Sequence, residues 1–61
     1  MSDEIKVNDR VEVYFKNLDD WRAGVVVRID PYSKHRSFIW VRLDENDRMI
    51  SVLNPKNIRK I

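Results

Sequence analysis

The sequence predicts an all-β fold: a small barrel of five short strands, with one turn of 3₁₀ helix before the last of them. Three observations lead there. Valine, isoleucine and aromatic residues recur in short runs that alternate with polar residues, the period of a half-buried strand. Clusters of Asn, Asp, Ser and Pro separate those runs at hairpin-like spacing. Helical periodicity extends nowhere beyond a single turn.

The first run covers residues 10–15 and follows Asn8-Asp9, a pair that tolerates the left-handed backbone of a turn. Residues 16–20 are polar, and the second run covers 21–29. It stops at Asp30-Pro31, because proline has no N–H for a ladder and holds its predecessor extended. A loop over 31–36 gathers Lys34, His35 and Arg36 before the third run, 37–43. The acidic stretch 44–47 joins it to the fourth, 48–53. Asn54-Pro-Lys-Asn57 is predicted to form the 3₁₀ turn, and 58–61 the fifth strand. Left open and flat, such a sheet would expose two edges and an apolar face; bending toward a barrel hides both.

Sixty-one residues make one domain, expected to span 6–61 behind a flexible tail at 1–5. A chain of this size buries only roughly 60% of its unfolded surface, so its core is small. It has no cysteine and a single histidine, His35, which excludes disulfides and a structural zinc site. No metal or cofactor is expected. The net charge of +2 permits nucleic acid as a partner without requiring it. A polar N-terminus and short apolar runs predict no membrane association and a cytoplasmic chain, nuclear in a eukaryote.

Lys6-Val-Asn-Asp-Arg-Val11, Trp21-Arg-Ala-Gly-Val-Val26, Val41-Arg-Leu-Asp44 and Ile58-Arg59 together resemble the Tudor branch of the SH3-like barrels, from about Lys6 to the end of the chain. Asn8 stands where that family usually has glycine. The resemblance implies a peptide pocket, since Tudor domains often hold methylated lysine or arginine in an aromatic cage. Phe15 and Trp21 lie near cage positions; the other positions fall on Arg22, Leu43 and Asp47, none of them aromatic.

Alternation assigns Val11, Val13 and Phe15 to the core face of the first strand, and Ala23, Val25, Val27 and Ile29 to that of the second. Ile39, Val41 and Leu43 continue it, with Ile50, Val52 and Ile58. The third strand is apolar on both faces, which leaves Phe38 and Trp40 outside, either in a second small core with Val26 and Leu53 or free for a partner. Tyr14, Arg22, Arg28, Trp40 and Arg42 are then expected on one outer surface of rings between guanidinium groups. Such a surface suits nucleic acid, with arginine on phosphate and rings on bases. It equally suits a protein partner, because exposed aromatics beside arginine are frequent interface anchors. Gly24, the only glycine, marks a bulge or a close backbone crossing. No nucleophile–base pair, metal set or glycine-rich phosphate loop is present, so the expected function is binding without catalysis.

Overall fold

The computed structural model describes residues 4–61 and shows an all-β chain. The strands are β1 (Arg10–Phe15), β2 (Asp20–Pro31), β3 (Ser37–Leu43), β4 (Met49–Val52) and β5 (Ile58–Lys60). They form a single antiparallel sheet in the order β4-β3-β2-β1-β5. The 3₁₀ turn, Pro55–Asn57, is capped by the Asn54 side chain, which accepts from Lys56 N at 2.9 Å. Proline begins that turn, where a missing N–H costs nothing.

β4 and β5 are the two ends of the sheet and share no ladder. Val52 of one and Ile58 of the other nevertheless belong to the same core cluster, with Val11, Val13, Val26, Val41 and Leu43. The sheet therefore bends around its apolar face and remains open along the line between β4 and β5. Phe15, Ile29, Ile39, Ile50 and Ile5 pack partly exposed around that cluster. Ile5, from the expected tail over 1–5, packs against that cluster, and residues 1–3 of that tail lie outside the described residues.

Strand β2 departs from the expected alternation. Val26 is fully buried and Gly24 is buried, whereas Ala23, Val25 and Val27 are only half-buried. The cause is a β-bulge: Val26 lies opposite Val41 and Arg28 opposite Trp40, so β2 spends one extra residue, Val27, where β3 spends none. Even-numbered side chains face the core before the bulge and odd-numbered ones, such as Ile29, after it. The backbone of residues 8 and 9 grips this point, with Asn8 N donating to Val26 O at 2.8 Å and Val26 N to Asp9 O at 3.0 Å. Asn8 holds φ at 77°, the left-handed turn its side chain tolerates.

Gly24 is a close crossing rather than the bulge itself. A Cβ there would stand 2.6 Å from Arg42 O and 2.6 Å from Val41 Cγ1.

Candidate binding surfaces

The outer face of the sheet carries most of the side chains expected to bind a partner, and the register fixes which of them meet. Tyr14 lies opposite Trp21, with ring centroids 5.5 Å apart. The Arg59 guanidinium caps Trp21 at 3.9 Å from the ring centre and donates from Nε to Glu12 at 2.9 Å. Trp40 lies between Arg28 on β2 and Ser51 on β4. It is half-buried, and its Nε1 is sealed from solvent without a hydrogen-bond partner. Phe38 is half-buried too, with the Tyr32 ring edge-on at 5.1 Å. The alternative of a second core with Val26 fails, because Val26 belongs to the main one.

Arg22 does not join this face. It lies opposite Val13 and one residue from outward-facing Trp21, which puts it on the core side at the end of the sheet. Its Nη1 donates to Glu45 at 2.8 Å, tying the β1–β2 end to the β3–β4 turn. Its Nε is sealed and lies 3.2 Å from an Asp20 oxygen, without the alignment of a hydrogen bond. Phe15 and Trp21 are likewise separated. Phe15 points toward the core, where it lines a depression of about 250 Å³ with Val13, Ile50 and Leu53, and Trp21 points the other way. They do not form a shared pocket, because neighbouring rungs of a ladder present opposite faces.

Each outer arginine is already engaged. Arg28 Nε donates to Asp30 at 2.8 Å, Arg10 pairs with Asp44 at 2.8 Å, Arg59 with Glu12, and Arg42 more loosely with Asp47 at 4.0 Å. These pairs are exposed and offset charge on this face, while Arg28, Arg42 and Arg59 pair through Nε and keep their Nη groups open to solvent. The Lys and Arg side chains without a side-chain partner among the described residues lie outside the strands. Lys34 and Arg36, with His35 between them, lie together in the β2–β3 loop, which closes on itself through bonds from Tyr32 N and Ser33 N to Arg36 O.

That loop borders a depression of about 820 Å³ at the open line of the sheet. Ile5, Ile29, Ile39, Val52, Leu53 and Ile58 make its floor, and His35, Arg36 and Lys60 stand on its rim. None of its lining residues is Phe, Tyr or Trp. Reading the sequence missed this groove because each isoleucine alone fits an ordinary core position. The signal present was an excess of aliphatic residues over what a one-sided sheet of this length encloses.

Two ionisations are displaced. The backbone N–H of Lys6 on its carboxylate, at 2.8 Å, holds Asp9 below the usual carboxylate range, with Lys60 adding to it. The Tyr14 hydroxyl donates to Asp19 at 2.6 Å, and this bond raises it above the ordinary tyrosine value of 10.0. A raised value means that the bond's contribution to stability is complete below the unfolded tyrosine's pKa and is lost as pH rises through the folded one. Asp19→Asn is expected to bring the Tyr14 titration, followed by the ring-carbon chemical shift, back toward the free value. A titration unchanged by that substitution would remove Asp19 as its cause.

Among the described residues, no group of three or more His, Cys, Asp or Glu side chains is placed to hold a metal ion, and no helix is long and apolar enough to cross a membrane. Comparison with known proteins finds no matching family model, no matching characterised protein and no matching solved structure.

Proposed function

We propose that the chain is a non-catalytic protein-interaction module: a Tudor-like, SH3-like small barrel left open between β4 and β5, whose aliphatic groove takes an extended segment of a partner. The observation that carries this reading is the groove itself. Its volume of about 820 Å³ falls within the range of ordinary ligand sites, roughly 300–1,000 Å³. An aliphatic floor rewards aliphatic side chains and gives nucleobases no ring to stack on. The outer sheet, which from the sequence alone suits nucleic acid, has its positive charge offset by neighbouring carboxylates and its indole nitrogen sealed. A cytoplasmic setting, nuclear in a eukaryote, belongs to the same reading.

Amide chemical-shift mapping with a mixed pool of capped apolar peptides, and in parallel with single- and double-stranded oligonucleotides, tests it. The expected result is that peptides move the resonances of Ile29, Ile39, Leu53 and Ile58 while oligonucleotides leave them in place. Salt-dependent shifts at Arg28, Trp40 and Arg42 on adding oligonucleotide, with none in the groove on adding peptide, would instead make the outer sheet a nucleic-acid surface.

A further inference from the structure

Strand β5 borders the groove along its whole length, since Ile58, Arg59 and Lys60 all line it. Its other side is paired with β1, Val11 opposite Lys60 and Val13 opposite Ile58. Ile61 N donates to Arg10 O at 3.1 Å, which makes that rung a hydrogen-bonded one. In an antiparallel ladder hydrogen-bonded and non-bonded rungs alternate, so the Arg59 rung also bonds to β1. The N–H and C=O groups of Ile58 and Lys60 then point away from β1, toward the open line. Among the described residues that edge pairs with no other strand, and such an edge beside an aliphatic floor is a template for one more.

Charge decides what kind of strand fits. His35 and Arg36 also line the groove, Lys34 adjoins them in the chain, and none of the three has a side-chain partner among the described residues. Lys60 adds a second positive group on the rim, shared with Asp9 at 3.4 Å. Glu4 is the only carboxylate among the described residues of the lining. A strand laid here alternates its side chains between the floor and the rim.

Resting on the interaction-module reading, we infer that the partner is an extended segment alternating aliphatic with acidic residues, added as a sixth strand on the free edge of β5. Its aliphatic side chains meet Ile29, Ile39 and Ile58, and its carboxylates meet Arg36 and Lys60, with Lys34 beside the rim adding positive charge.

The test uses three capped peptides of about eight residues, long enough to cross a body 30 × 23 × 22 Å in extent. Each alternates Val or Ile with one other residue: Glu, Ser or Lys. Amide shifts give the affinities, and hydrogen exchange reports the Ile58 and Lys60 amides. The Glu peptide is expected to bind about tenfold more tightly than the Lys peptide at low salt, and the gap to close at high salt. It is also expected to slow exchange at Ile58 and Lys60. The double variant K34E/R36E, altered only at exposed side chains without partners, is expected to reverse the preference. Equal affinity for all three peptides, with shifts in the groove, would overturn the acidic partner and leave the interaction module standing. Binding without protection at Ile58 and Lys60 would overturn the added strand. Absence of groove shifts with any peptide would overturn the module reading itself.

Discussion

Gly24→Ala is expected to cost about 2–3 kcal/mol, the upper part of the roughly 1–3 kcal/mol range for forcing an extra carbon into a packed site. For a chain of this size that is a large part of a total of roughly 3–9 kcal/mol. One of the two atoms in the way is a backbone oxygen, Arg42 O, at 2.6 Å from where the new carbon would stand. It cannot retreat without opening the ladder that pairs Gly24 with Leu43. The gain in strand propensity from glycine to alanine recovers only about 0.5–1 kcal/mol. Urea unfolding followed by tryptophan fluorescence measures the difference. A variant as stable as the parent would mean that β2 and β3 do not approach this closely at Gly24.

Glutamate at adjacent positions of β2 is expected to have opposite consequences. Val26→Glu places a carboxylate where the side chain is fully buried, among Val11, Val41 and Leu43. A buried, unpaired charge costs several kcal/mol, enough to abolish folding of a small domain. Val25→Glu lies on the outer face, directly opposite Arg10 on one side and Arg42 on the other. There the new carboxylate gains two cationic neighbours and stability changes by less than about 1 kcal/mol. Circular dichroism of the two variants, side by side, decides it. Strict alternation along β2 without the bulge predicts the reverse order, so the pair of substitutions tests the bulge directly.

That bulge also marks the boundary of what the sequence reveals. The bounds of β1 and β3 were legible because each is an apolar run with turn residues at both ends, and the structure has them at Arg10–Phe15 and Ser37–Leu43. The core faces of these strands were legible for the same reason. In β2 the run from Ala23 to Val27 contains no polar side chain, so nothing in it announces which face each residue takes. Ile29 is placed correctly by alternation, but counting backward from it across Val27 inverts every earlier position. The single glycine was the clue available, and it signalled crowding three residues before the bulge.

The candidate site was less legible than the fold. Arg10 and Asp44 are separated by 34 residues, and Arg59 and Glu12 by 47. Which carboxylate neutralises which arginine therefore depends on the order and register of strands, and local pattern carries neither. The surplus of apolar side chains on β3 was legible, while its cover was not. Phe38 is met by Tyr32 from a loop, and Trp40 is half-buried among the side chains of its own face. The groove is assembled from the N-terminal segment, the β2–β3 loop, β4 and β5, pieces that meet only once the sheet has bent.

A methyl-resolved relaxation measurement on the unbound chain, with a soluble paramagnetic agent in the solvent, tests most directly whether the bent sheet stays open between β4 and β5. The expected result is strong broadening of the methyl signals of Ile29, Ile39 and Leu53 beside sharp signals from Val11, Val26 and Val41. If the first set proved as well shielded as the second, the sheet would be sealed along that line and no strand could enter it.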